Sequence, residues 1–276
     1  MINSTLSAWM RGRRLESILT LLLLAFGAWY WLQYFNRSTN LLDEGSTAAQ
    51  AMRIVNGELV YRDFFTVVTP GSYYTVAWLF RLFGESLMVL RWAALVTGLG
   101  ILLITLTVGR RVMVWPFAAA AGLLTTVWGW FMVTPNFYSL EAALLSLVAL
   151  ACYVYGAPSW RWMIAAGIAA APTAMVKQNV GAYTAAGLFI TIWASRLFDT
   201  EADWRGRMKM SGQLIVGIAV PVMATLLWLV VSGAGPYLYE SWIYYPLVKY
   251  TERFALPFPS FLPLPVAGPF CLWCKL

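Results

Sequence analysis

Polar positions in this sequence are few and bunched, and apolar runs long enough to cross a bilayer lie between them. A helix needs about 18 or more apolar residues to cross roughly 30 Å of hydrocarbon. Ile18–Phe35, Leu87–Val108, Val112–Met132 and Leu214–Val231 meet that length. Ala142–Tyr155 is shorter but extends at both ends. Trp162–Val176 and Gly181–Ser195 are short runs parted only by Lys177-Gln178-Asn179-Val180. The pattern predicts an all-α, polytopic membrane helical bundle of about seven transmembrane helices, a single domain over residues 1–276. The first run does not read as a signal peptide, because bulky Trp29, Tyr30 and Trp31 stand where a small-residue cleavage site belongs.

Composition agrees. The chain is 61% apolar, 16% aromatic and 11% charged, whereas soluble domains run at about 45–50% apolar and about 25% charged. Its 15 Trp, 14 Tyr and 15 Phe also exclude a disordered chain. The net charge of +7 would suggest nucleic acid on a soluble protein. Placement gives it another meaning. With the N-terminus in the cytoplasm, Arg11, Arg13, Arg14, Arg110, Arg111, Arg161, Arg196, Arg205, Arg207 and Lys209 all fall on the inner side, ten of the 19 basic residues. That is the positive-inside pattern, so no nucleic-acid partner is expected.

The same alternation places 36–86, 133–139 and 232–276 outside. The first of these is 51 residues long, against about 2–8 residues for ordinary connections in bundles. Asp43 is placed to cap a helix with Ala48, Met52 and Val55 on one face, stopped by Asn56-Gly57. Glu58–Phe65 reads as extended chain and Thr69-Pro70-Gly71 as a turn. Ser72–Phe83, with Tyr73, Tyr74, Trp78, Phe80 and Phe83, reads as a second amphipathic helix closed by Gly84. Two interfacial helices would then form a platform on the outer face. The 232–276 segment is an aromatic tail that becomes Pro-rich, with Pro257, Pro259, Pro263, Pro265 and Pro269.

There is no His, which removes Ser-His-Asp hydrolysis and the commonest zinc ligand. Cys271-Leu272-Trp273-Cys274 is a lone pair spacing and Cys152 sits in an apolar run, so no metal site is assigned. Asp43-Glu44 follows the first span. Adjacent acids at a helix start serve as caps and dipole partners, but a carboxylate at the membrane surface also serves as a general base or cation ligand. Arg62 and Asp63 either pair with each other or meet a phosphate oxygen and a sugar hydroxyl. Lys177, beside Gln178 and Asn179, either sits at headgroup depth as a functional charge or snorkels to the surface. Arg91 and Glu141 fall within spans, where an Arg91–Glu141 pair would satisfy both. Lys249 and Arg253 follow Tyr237, Tyr239, Trp242, Tyr244 and Tyr245 in an interfacial aromatic belt, where either could also contact a lipid phosphate.

These residues resemble a known family. Leu42-Asp43-Glu44-Gly45, Ala49-Gln50, Asn56-Gly57-Glu58, Tyr61-Arg62-Asp63-Phe64 and Thr69-Pro70-Gly71-Ser72-Tyr73-Tyr74, in that order and spacing, look like bacterial GT-C glycosyltransferases. These are multi-pass enzymes related to protein O-mannosyltransferases and lipid A aminoarabinose transferases. Leu82-Phe83-Gly84-Glu85-Ser86-Leu87 with Arg91 continues the pattern, and Lys177-Gln178-Asn179-Val180-Gly181 is a looser second match. The resemblance implies a polyprenyl-phosphate-sugar donor and transfer to a lipid, glycan or protein hydroxyl on the periplasmic side of a bacterial inner membrane. It implies Asp43 as catalytic base with Glu44 beside it, and it leaves room for a divalent cation without requiring one.

There are departures. Ser46-Thr47 stands where aminoarabinose transferases carry Arg-Tyr, and Val67-Val68-Thr69 lacks their Lys before the turn. Thr134–Tyr138 lacks the acid that many relatives place in the second external loop, unless Glu141 takes that part. Relatives are also longer, which suggests a truncated form. A glycosyltransferase is therefore expected, with Asp43 and Glu44 catalytic and Arg62, Asp63, Lys177, Gln178, Lys249 and Arg253 binding substrate. The rival readings are a flippase of lipid-linked sugars and an inactive membrane subunit or fragment.

Overall fold

The structure, a computed structural model, describes residues 2–36, 41–129, 137–157, 159–194 and 204–249. Thr134, Pro135, Asn136, Arg196, Arg253, Cys271, Cys274 and the five C-terminal prolines lie outside the described residues. The elements in order are α1 (Ile2–Tyr34), a π-helical turn (Leu41–Gly45), α2 (Ser46–Val55), α3 (Gly71–Phe83), α4 (Leu87–Val112) and α5 (Trp115–Leu124). The last runs on into a wider turn at Thr125–Gly129. Then come α6 (Phe137–Gly156), α7 (Trp160–Val176), α8 (Gln178–Ala194), α9 (Trp204–Val231), α10 (Gly235–Tyr239) and a π-helical segment, Glu240–Lys249.

Among the described residues, four helices are long and apolar enough to cross a membrane: Leu15–Tyr34 of α1, α4, α6 and α9. They leave Leu21, Trp29, Val96, Val220 and Leu227 exposed. In water each such side chain would forgo about 1.5–3 kcal/mol of burial, whereas hydrocarbon solvates it without loss. The chain has the build of a helical membrane protein. α7 and α8, at 17 residues each, are shorter than the about 20 that cross a bilayer upright.

Local chemistry sets the boundaries. Ser86 caps α4 by accepting from the Met88 amide at 3.2 Å. Pro116 occupies the first turn of α5, where its missing N–H costs nothing. Gly84 ends α3 at φ 92°, a conformation that side chains resist. The predicted stop at Asn56-Gly57 and the second interfacial helix both appear.

Three local expectations are corrected. Asp43 does not cap α2: it lies inside the π-helical turn, and Gly45 holds the N-cap position without a side-chain bond. The buried face of α2 is Thr47, Ala48, Ala51 and Ile54, residues three and four apart, while Met52 lies off that face and is exposed. Residues 58–65 are not extended either. They fold into a tight loop in which Asp63 N–H bonds Leu59 O at 2.9 Å and Tyr61 N–H bonds Phe64 O at 3.0 Å.

Polar contacts sort to two ends of the bundle. At one, Arg110 donates to Glu16 at 2.7 Å and Tyr155 Oη donates to Thr107 O at 2.6 Å. At the other, residues from the first loop, the start of α6, the α7–α8 junction and the end of α9 meet. Those are the segments that the alternation of runs assigns to a common side.

The α7–α9 contact is built on glycine. A Cβ on Gly217 would lie 2.4 Å from Ile164 O, and one on Gly167 would lie 2.4 Å from Leu214 O. Small residues at crossing points let membrane helices approach to backbone contact. Gly212, in the same helix, has nothing within 4 Å of its Cβ position. Gly217→Ala should therefore destabilise the detergent-solubilised protein by about 1–3 kcal/mol through overpacking. Gly212→Ala should be neutral or stabilising, and thermal unfolding of the two variants checks this.

Candidate functional site

The site begins with one buried charge. Glu44 has a fully buried side chain, and Arg91 from the second turn of α4 approaches it with a 10% exposed side chain. Arg91 Nε donates to Glu44 Oε1 at 2.7 Å and Nη2 donates to Oε2 at 3.1 Å, a two-pronged bond, and Nη1 donates to Asn36 Oδ1. Planar guanidinium and carboxylate match in this geometry. The Arg91–Glu141 pair that the sequence leaves open does not form, because Arg91 is turned toward the first loop. Glu141 instead accepts from Thr75 Oγ1 at 2.7 Å.

Glu44 thus anchors the turn that carries Asp43. Tyr138 Oη donates to Asp43 Oδ1 in a long hydrogen bond of 3.4 Å. The face of the same Tyr138 ring holds Lys177 Nζ, 5.1 Å from its centroid, and Nζ donates to Ser139 Oγ at 2.8 Å. One phenol ring contacts both charges, so Asp43 and Lys177 lie within about one helix diameter, about 10–12 Å. Three stretches of sequence over 130 residues apart at their extremes build this group: the first loop, the start of α6 and the α7–α8 junction.

Lys177 is held by backbone as well. It stands between α7 and α8 in extended conformation, φ −151° and ψ 103°, and its N–H bonds Thr173 O at 2.8 Å. α3 abuts this junction closely. A Cβ on Gly71 would meet Met175 O at 2.7 Å, so only glycine lets the first turn of α3 sit against the end of α7. Gln178 Nε2 adds a bond to Val67 O at 3.4 Å, tying the junction to the loop.

The remaining residues singled out by sequence lie differently. Arg62 and Asp63 make a two-pronged pair at 2.9 and 2.8 Å, and Arg62 Nη1 reaches Ser232 O at 3.3 Å. These contacts tie the loop to the end of α9 rather than to Tyr138. The bonds to Asp63 raise the Arg62 pKa, while Arg62 and the Leu59 N–H bring the Asp63 carboxyl down to about 2. Between Val60 and Arg62 the loop holds Tyr61 at φ 70°, a conformation that costs a side-chain-bearing residue about 1–2 kcal/mol. Burial of its ring edge-on to Trp242 and a 2.9 Å bond from its hydroxyl to Val68 O hold it there. That burial raises its phenol pKa. Lys249 lies over Tyr244, 6.0 Å from the ring centroid, in the segment after α10.

Tyr138, Ser139 and the partner of Glu44 are the residues that sequence reading missed. Tyr138 carried one signal, three positions before Glu141 at the start of an apolar run. Nothing local marked it as the ring joining Asp43 to Lys177. Among the described residues no three potential metal ligands gather in one place.

Two outcomes follow. Arg91→Met should cost about 3–5 kcal/mol in unfolding assays, because it strands the Glu44 charge. Arg91→Met combined with Glu44→Gln should recover part of that loss. Asp63 has a lowered pKa, so its contribution to loop order is present above the ordinary aspartate value of 3.8 and lost as pH falls toward about 2. Amide hydrogen exchange of residues 58–64, corrected for intrinsic rates, should lose protection over that range in the native chain. The pH-dependent step should be absent in Asp63→Asn.

No protein-family model matches this chain, and no curated protein or solved structure matches it.

Proposed function

We propose that this protein is a GT-C-type glycosyltransferase of a bacterial inner membrane. It moves a sugar from a polyprenyl-phosphate carrier to a hydroxyl of a lipid, glycan or protein on the periplasmic side. The observation that carries the reading is the meeting of Asp43 and Lys177 on Tyr138. A carboxylate and an ammonium this close, at one end of a membrane bundle, provide the two functions that the reaction needs.

Asp43 takes the proton of the acceptor hydroxyl as its oxygen attacks the anomeric carbon. The bond from that carbon to the phosphate oxygen breaks, and the lipid phosphate leaves with the electron pair. Lys177 stabilises the charge that grows on the phosphate, and the amino end of α6 presents its positive dipole on the same side. Glu44, committed to Arg91, positions the Asp43 turn rather than handling protons. Tyr138 holds the base and the cation at a fixed separation. Such positioning supplies much of the rate when the leaving group is already good.

In this reading α5, α7 and α8 join the four long helices to make seven crossings, with the N-terminus cytoplasmic. The Arg110–Glu16 end faces inward and the Asp43–Lys177 end faces the periplasm. The basic residues Arg110, Arg111, Arg205 and Arg207 then fall inside, as the positive-inside rule requires.

The test uses purified protein in detergent with labelled polyprenyl-phosphate hexose and pentose donors. Asp43→Asn should lower turnover about a hundredfold or more, the usual loss of a general base. Lys177→Gln should lower kcat as well as raise the donor KM, because the charge it stabilises grows as the phosphate leaves. Full transfer by Asp43→Asn would overturn the assigned base, and no transfer by the correctly inserted native chain would point to a membrane subunit without catalysis of its own.

A further inference from the structure

Next to the Tyr138 group, a groove of about 590 Å³ opens between α3, α4 and α6. Drug-sized ligands occupy pockets of about 300–1,000 Å³. Its walls include Leu79, Phe83, Trp92, Val96 and Leu144. Phe83, Trp92 and Val96 are exposed, at 68%, 50% and 66%, so the groove opens sideways toward the surroundings of α4. Since α4 and α6 are both long and apolar enough to cross a membrane, the medium at that mouth is lipid hydrocarbon.

One acid interrupts the apolar lining. Glu141 lies one turn into α6. Its Oε1 accepts from Thr75 at 2.7 Å, while Oε2 is buried and has no full hydrogen bond among the described residues. The Ser72 hydroxyl faces the same carboxyl and bonds no other described group. No basic side chain pairs with Glu141 among the described residues, since the nearest candidate by sequence, Arg91, is engaged by Glu44. A carboxylate at membrane depth with no counter-charge among the described residues is costly unless it takes up a proton or a cation pairs with it.

We propose that this groove binds a phospholipid bearing a primary ammonium headgroup, with an acyl chain between α3, α4 and α6 and the ammonium on Glu141. Charge complementarity selects the headgroup: a primary ammonium brings both a counter-charge and N–H donors for the carboxylate that lines the groove. A choline headgroup brings charge without donors, and a glycerol headgroup brings donors without charge. The site stands apart from the transfer chemistry and does not depend on it.

The test titrates the purified full chain in detergent with phosphatidylethanolamine, phosphatidylcholine and phosphatidylglycerol of identical acyl chains, followed by native mass spectrometry. The ethanolamine lipid should bind about tenfold more tightly than the other two, the effect of one charge-assisted hydrogen bond. Glu141→Gln should remove that preference and leave the three lipids alike. Ala93→Trp, which fills the groove without touching the carboxyl, should weaken all three. Equal binding of the three lipids by the native chain would overturn the proposal. So would a preference that survives Glu141→Gln, or tighter binding of the glycerol lipid. Absence of lipid binding by the native chain would overturn it too, and would leave the groove to another segment of this chain. Glu141→Gln keeps the size of the side chain and its bond to Thr75, so the result stands even if Ala93→Trp fails to fold.

Discussion

The Glu44–Arg91 pair is the constraint on which the rest of the candidate site depends. A carboxylate with no solvent exposure in a membrane protein is untenable alone, and the guanidinium of α4 is what makes it tenable. The pair joins the first loop to a membrane-length helix at a fixed point. It therefore fixes the turn at Leu41–Gly45, and with it the place of Asp43. Buried pairs of this kind add little net stability compared with apolar packing, but removing one partner is expensive. That asymmetry suits a device whose use is to fix position.

Other ties complete the loop. Arg62 reaches the end of α9, Gln178 reaches Val67, and Gly71 lets α3 touch the end of α7. Each ties the loop to a different helix, so a segment far longer than an ordinary connection is held over one end of the bundle. Tyr61 shows the cost of this folding in its left-handed backbone, offset by ring burial and a hydroxyl bond. The loop is a packed layer, with Ala51, Val60, Val76 and Phe80 buried in the same core as Leu102 and Leu106 of α4.

Charges are scarce in this chain, and they fall into two kinds. Arg62 with Asp63, and Arg53 with Glu58, are neighbours in sequence that organise the loop locally. Asp43, Glu44, Arg91, Tyr138, Glu141 and Lys177 meet partners distant in sequence. Of these, Glu141 lines the lateral groove, Asp43, Tyr138 and Lys177 form one group, and Glu44 with Arg91 anchors the turn that carries Asp43. Chemistry at the Asp43–Lys177 group and lipid at the groove would share the first turns of α6.

Helical class, membrane character, the two loop helices and most of their ends were legible in the sequence, because apolar run length, Gly and Pro act locally. The stops at Gly57 and Gly84 needed no partner to be read. The function of Asp43 and Lys177 as one group was legible only as a suspicion, since nothing local says that residues 43, 138 and 177 meet. The Arg91 partner was not legible for the same reason. Two acids, Glu44 and Glu141, were both eligible, and helix rotation about its axis chose between them. Sequence determined where helices start and which residues are costly to bury in lipid. Only the tertiary structure decided which costly residues satisfy one another, because that depends on the facing of helices that pack through small residues such as Gly167 and Gly217 and carry almost no amphipathic signal.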